Sequence, residues 1–131
     1  MLADDTVRGV STPESFEHYL AAWNERDPER VPELLEASVT HAVVFADPII
    51  KTVGLEALAD HIVRTRQEYP DATYRRTSAV DGGHDHVYRY TWDVVVDGEV
   101  AMTGMDATTV DPRGRIIRID GFFGPIPPLD D

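Results

Sequence analysis

Two aspartates and one tyrosine stand where their side chains could do chemistry. In Val43-Val44-Phe45-Ala46-Asp47-Pro48 a carboxylate ends an apolar run. An apolar strand can carry such a group to a place where water is scarce, while Pro48 removes a donor, fixes its own φ and restricts the residue before it. Held in this way, Asp47 is a candidate general base; the competing reading is that Asp-Pro simply starts a surface turn. The second carboxylate is Asp106, whose period-two neighbours Met102, Gly104, Thr108 and Val110 are mostly small or apolar. Strand alternation therefore turns Asp106 toward the core. A buried aspartate must be paired with a cation, hydrogen-bonded or protonated. An ion pair with Arg89, Arg115 or Arg118 would satisfy it, and so would a proton that makes it a hydrogen-bond donor. Tyr19 is the third group. Phe16, Tyr19, Leu20 and Trp23 fall at i, i+3, i+4 and i+7, so the phenol points inward and needs a partner there.

Positioning these groups requires helices before a sheet. The first helix is expected to start at Ser11 or Thr12, with Pro13 in its first turn and Glu14 completing a capping box with Ser11, and to close at Asn24-Glu25-Arg26. Asp27-Pro28 opens a second helix whose inward face is Val31, Leu34 and Leu35. After an extended run from Val39 to Phe45, a third helix runs from Gly54 to Tyr69-Pro70, with Leu55, Leu58, Ala59, Ile62 and Val63 on one face. From Ala72 the period becomes two. Turn signals at Asp81-Gly82-Gly83, Asp97-Gly98 and Asp111-Pro112-Arg113-Gly114 delimit strands near 72–80, 86–96, 99–110 and 115–123. Tyr88, Tyr90, Trp92, Val94 and Val96 share one face of the second of these, with Arg89, Thr91 and Asp93 on the other. An apolar sheet face must be covered, and three amphipathic helices are the available cover. Residues 1–10 read as a mobile tail, 11–127 as one α+β domain, and 128–131 as a C-terminal tail, since Gly124-Pro125-Ile126-Pro127-Pro128 cannot continue a ladder.

Composition narrows the classes of function. With 24 acidic against 12 basic residues the formal charge is −12, which repels phosphate backbones and anionic lipid surfaces, so neither nucleic acid nor membrane is an expected partner. The absence of cysteine removes disulfides, thiolate metal sites and cysteine nucleophiles. With no leader-like segment or long apolar run, the expectation is a cytoplasmic protein. His84-Asp85-His86 has the H-x-H spacing of some metal sites, but position 90 is Tyr and no histidine follows His86; beside Gly82-Gly83 it reads as a hairpin tip. There is no Gly-rich phosphate loop, G-x-S-x-G elbow or H-E-x-x-H. No metal or other cofactor is expected.

Taken in order, Tyr19-Leu20-Ala21-Ala22-Trp23-Asn24 with Asp27, Phe45-Ala46-Asp47-Pro48 and Gly54, Gly104-Met105-Asp106, Gly114-Arg115-Ile116 and Phe122-Phe123-Gly124 resemble the nuclear-transport-factor-2-like (NTF2-like) superfamily. Within it the chain is most similar to ketosteroid isomerase and the SnoaL-like polyketide cyclases, over residues 15–127. The resemblance implies a cone-shaped α+β fold, three N-terminal helices packed in a strongly curved, mostly antiparallel sheet, with a pocket in its mouth. It places the oxyanion tyrosine on Tyr19, the base on Asp47 and a protonated aspartic acid on Asp106, and implies removal of a proton next to the carbonyl of a small apolar substrate. Phe16, Trp23, Phe45, His61, Trp92, Met102, Phe122 and Phe123 are expected to line the pocket. The isomerase's tyrosine relay has no match, because Ile62 falls at one of its positions, and the segment between Tyr19 and Asp47 is a few residues longer here. Epoxide hydrolysis through an Asp-Arg-Asp arrangement is the alternative chemistry, favoured if an arginine reaches Asp106. A non-catalytic ligand-binding or dimerisation module is the alternative without chemistry. The family habit of pairing through the sheet implies a homodimer, with Arg89, Thr91 and Asp93 as candidates for a polar interface.

Overall fold

The computed structural model describes residues 13–130; Ser11, Thr12 and the 1–10 tail lie outside them, while Pro13, expected in the first turn of the first helix, precedes it, and Glu14 stands at its N-cap. Helix α1 spans Ser15–Asn24, α2 spans Val31–Glu36 after a 3-10 turn at Pro28–Arg30, and α3 spans Leu55–Glu68. Asp27 caps the 3-10 turn as its sequence suggests, its carboxylate accepting from the Glu29 amide at 3.0 Å. Gly54 starts α3 at φ 101°, a conformation that L side chains rarely adopt.

The strands are β1 Val39–Ala46, β2 Lys51–Val53, β3 Thr73–Arg76, β4 Asp81–Gly82, β5 Val87–Val96, β6 Glu99–Val110 and β7 Ile116–Phe123. They form a single curved sheet in the order β2-β1-β7-β6-β5-β3, with β4 also on β5. Every pairing is antiparallel except β1 with β7. That parallel contact joins the first strand of the chain to the last, and it sets Ala46, the residue before Asp47, opposite Asp120.

The strand expected over 72–80 is two short pieces. Ser78 interrupts it: its hydroxyl accepts from the Thr91 amide at 2.9 Å, where a ladder would use a backbone carbonyl. Thr77 still donates to the Thr91 carbonyl at 2.8 Å, so the chain bulges between them before pairing resumes at Asp81. The expected start at residue 86 moves to Val87 because His86 has φ 66°, outside the strand region.

Val31 and Leu35 of α2, Leu58 and Ile62 of α3, and Val39, Val43, Ile116 and Ile119 of the sheet are the fully buried centre. Each such side chain contributes about 1.5–3 kcal/mol by leaving water. The core fills one end of the space between helices and sheet. Aromatic rings line the other end: Phe16 meets Tyr88 edge-on at 5.4 Å, and Trp23 lies 5.0 Å from Tyr74. Asn24 ties α1 to β3, donating to the Tyr74 carbonyl at 2.7 Å and accepting from its amide at 2.8 Å.

Gly104 shows how tightly the sheet is filled on this side. It pairs with Trp92, and a Cβ there would collide with the Trp92 indole and the Phe122 carbonyl. Gly104→Ala is therefore expected to cost about 1–3 kcal/mol, typical of overpacking, and to weaken the near-ultraviolet circular dichroism of Trp92. Urea unfolding checks the first outcome and the spectrum the second.

Candidate active site

Asp47 follows the last residue of β1 and closes the turn into β2. Its Oδ1 accepts from the amides of Ile49 and Ile50, both at 2.8 Å, and its own amide donates to the Ile50 carbonyl at 2.9 Å. The residue thus builds the turn that Asp-Pro suggests, and it also lines a cavity. Its second oxygen, Oδ2, accepts no hydrogen bond among the described residues.

Asp106 sits in β6, 8 % exposed, between Tyr90 on β5 and Gly121 on β7, which are its direct partners in the two ladders. The Tyr90 hydroxyl donates to Oδ2 at 3.0 Å, and the Trp92 indole N–H donates to Oδ1 at 3.0 Å. No arginine among the described residues pairs with it. Arg89 pairs with Asp81, Arg118 with Asp120, and Arg115 donates to backbone carbonyls of Glu36 and Val39. The two neutral donors leave the carboxylate's charge uncancelled. Burial raises its pKa to about 6; the Trp92 and Tyr90 hydrogen bonds pull the other way, and the charge of Asp47 adds to the rise.

Tyr19, on the inward stripe of α1, is 3 % exposed. Burial, and then the charge of Asp106, push its pKa well above the usual value; the Trp23 indole one turn further on works the other way. Its hydroxyl therefore keeps its proton and remains a donor across the neutral range. Burial and the same charge also raise Tyr90.

Gly121 brings the two carboxylates to one place. A Cβ built there would stand 3.0 Å from Asp106 Oδ1 and 3.6 Å from Asp47 Cβ, so the missing side chain is the space between the acids. The cavity they open into holds about 530 Å³, a size suited to a small organic molecule. Phe16, Trp23, Phe45, His61, Trp92, Met102 and Phe123 are in its wall, together with Tyr74 and Tyr90.

Phe122 is not in the cavity wall. It is 55 % exposed and outside the cavity, because Gly121 and Phe123 take the inward positions of β7 and alternation turns the residue between them outward. Adjacent strand residues cannot both face the pocket, so the expectation for Phe122 is corrected. Two contributors escaped the sequence reading. Tyr90 was legible only as a face mate, since nothing in the sequence shows that it stands opposite Asp106. Gly121 carries no local signal, as its role is set by two neighbouring strands. Among the described residues no group of three or more His, Asp or Glu side chains is arranged to hold a metal ion. His84–His86 forms an exposed 3-10 turn at the hairpin tip.

The model of the SnoaL-like domain matches residues 16–119, which takes in Tyr19, Asp47, His61, Tyr90, Trp92 and Asp106; Gly121 and Phe123 at the end of β7 follow the matched stretch. The chain belongs to the SnoaL-like family. A structure from Agrobacterium tumefaciens str. C58, provisionally named an isomerase of the SnoaL-like family, is 29 % identical, with a TM-score of 0.79 over 85 % of this chain and 95 % of that one. A protein from Sinorhizobium meliloti provisionally named a polyketide cyclase is 20 % identical, with a TM-score of 0.63 over 83 % and 94 %. An NTF2-like protein from Exiguobacterium sp. 255-15 is 16 % identical, with a TM-score of 0.68 over 84 % and 98 %. At the identities of the last two, the likeness is one of fold. None of the curated proteins compared with the chain matches it. The chain shares with these relatives a mixed α+β NTF2-like fold of three helices and a curved sheet. Among the described residues no helix is long and apolar enough to cross a membrane.

The raised pKa of Asp106 predicts how this SnoaL-like protein trades stability for its site. The folded chain holds the Asp106 proton up to about pH 6, against 3.8 ordinarily, so the stabilising effect of that proton is complete below 3.8 and is lost as pH rises through about 6. The shift corresponds to about 3 kcal/mol. Asp106→Asn can accept from Trp92 and donate to Tyr90 without a charge. Relative to the wild type, it is expected to gain about 2–3 kcal/mol between pH 4 and pH 7, measured by chemical unfolding at the two pH values.

Proposed function

We propose that the cavity carries out acid/base chemistry of the isomerase or polyketide-cyclase type, without a cofactor, on a small and largely apolar carbonyl compound. The observation that carries this reading is the gap at Gly121: two carboxylates meet there, in a cavity whose largely apolar wall also holds the Tyr19 phenol. Asp47 is the base. Its Oδ1 is spent on the turn and Oδ2 is left to take a proton from the carbon next to the carbonyl. The electron pair released moves onto the carbonyl oxygen, where Tyr19 donates a hydrogen bond. Asp106 donates beside it in its neutral form. An enolate developing in the same dry space is one more negative charge next to Asp106, and it raises that group's proton affinity in the direction that Asp47 already does. Returning the proton to the same or a conjugated carbon completes an isomerisation; attack of the enolate carbon on a second carbonyl, with the proton taken by Asp47 passing to the alkoxide so formed, completes a cyclisation and restores the base. The partners of Asp106 are Tyr90 and Trp92 rather than an arginine, which counts against the epoxide-hydrolase alternative. A cavity that reaches Asp47 counts against a role in dimerisation alone.

A spectrophotometric screen against β,γ-unsaturated ketones and related enolisable compounds is the test. On any substrate it finds, Asp47→Asn is expected to lower turnover by about 10²–10⁴-fold. The base assignment fails if Asp47→Asn turns that substrate over at the wild-type rate.

The same reading includes a homodimer through the outer sheet face. Phe122 stands exposed there, and Arg89 and Asp93 are held in surface pairs with Asp81 and Arg75. Sedimentation equilibrium is expected to give twice the mass of one chain, and Phe122→Asp to give the mass of a single chain. A monomeric wild type rejects the pairing and leaves the chemistry of the cavity untouched.

A further inference from the structure

His61 belongs to the cavity wall, and the acid/base chemistry just described gives it no task. It lies on α3 one residue before the fully buried Ile62. The Trp23 ring meets it edge-on at 5.7 Å, with the planes 85° apart, and Phe45 lies 5.5 Å away. Two aromatic neighbours on α1 and β1 thus fix the plane of the imidazole. Among the described residues neither ring nitrogen has a hydrogen-bond partner; beyond the backbone bonds of the helix, His61 takes part only through its carbonyl, which accepts from Thr65 Oγ1 at 2.8 Å. Burial lowers its pKa and the Arg64 charge adds to this, while the Asp47 charge opposes them. A neutral imidazole has one donor and one acceptor, and here both are unspent in a cavity whose other lining is mostly hydrocarbon.

We propose that His61 is a substrate-binding residue, and that the neutral imidazole holds a second oxygen of the ligand, a hydroxyl or a carbonyl, set apart from the carbonyl bound by Tyr19 and Asp106. The inference rests on the proposed function only for the place of that first carbonyl. The two polar groups stand on different elements. Tyr90, Trp92 and Asp106 form one wall from β5 and β6. His61, Trp23 and Phe45 form another from α3, α1 and β1. A ligand that spans them is a ring compound oxygenated at both ends. The imidazole selects for it because a partner with no oxygen at that end leaves a ring nitrogen unpaired in a desolvated place. The carboxylates of Asp47 and Glu68 outnumber the Arg76 guanidinium in the lining even with Asp106 neutral, so an uncharged ligand suits the cavity better than an anion.

Two probes of one shape test this by isothermal titration calorimetry: 2-acetylnaphthalene, and the same ketone with a 6-hydroxyl. The wild type is expected to bind the hydroxylated probe about tenfold more tightly, the worth of one hydrogen bond to a desolvated group. His61→Phe keeps the flat ring between Trp23 and Phe45 and removes both nitrogens. It is expected to bind 2-acetylnaphthalene within about twofold of the wild type and to show no preference for the hydroxyl. His61→Gln, which keeps a donor and an acceptor, is expected to restore part of the preference. A wild type that shows no preference, including one that binds neither probe, overturns the proposal, as does a His61→Phe protein whose preference is intact. The measurement needs no turnover, so its failure leaves the Asp47 test standing, and the failure of that test leaves this one standing.

Discussion

The rest of the structure is arranged around a carboxylate kept out of water with no positive charge paired to it among the described residues. Asp106 is held by a phenol and an indole, and two such hydrogen bonds offset only part of the cost of burying its charge. The arrangement persists because both donors are fixed in place by neighbouring packing. Tyr90 stands opposite Asp106 in the ladder and leans on Phe16, and Trp92 lies across Gly104, the one residue small enough to admit it. The three N-terminal helices and the long central strands therefore do more than enclose a core. They hold a polar group in a state that it would not keep in solvent.

That constraint explains why the polar groups stay distinct in so small a space. Tyr19 and Tyr90 are pushed toward keeping their protons by burial and by the charge of Asp106, while Asp47 stands at the rim with half its carboxylate committed to a turn. Groups of similar chemistry are driven to different tasks by how far each is removed from water. The ordering depends on which strand end or helix face each residue occupies.

Much of this was legible along the chain. The spacing of Phe16, Tyr19 and Trp23 gave the inward stripe of α1. The alternation around Tyr88, Tyr90 and Trp92 gave the face of β5, and small neighbours turned Asp106 toward the interior. What escaped depended on pairings between distant segments. Asn24 reads as a helix end, yet it clasps the backbone of Tyr74 fifty residues later. Ser78 reads as one more strand residue, yet its hydroxyl replaces a backbone acceptor and breaks the strand. Gly121 matters only because β1 and β6 flank β7. Phe122 is a different case: strand alternation alone was enough to assign it outward.

The turn at Asp47 separates shape from chemistry. Its two amide contacts use a single oxygen, which the side-chain carbonyl of an asparagine could supply equally well. A lineage could therefore exchange the acid for its amide, keep the same turn beside the same aromatic chamber, and lose only the oxygen proposed to take up a proton. Pockets of this build can pass between transforming a molecule and merely holding it through one substitution, without the fold registering the change.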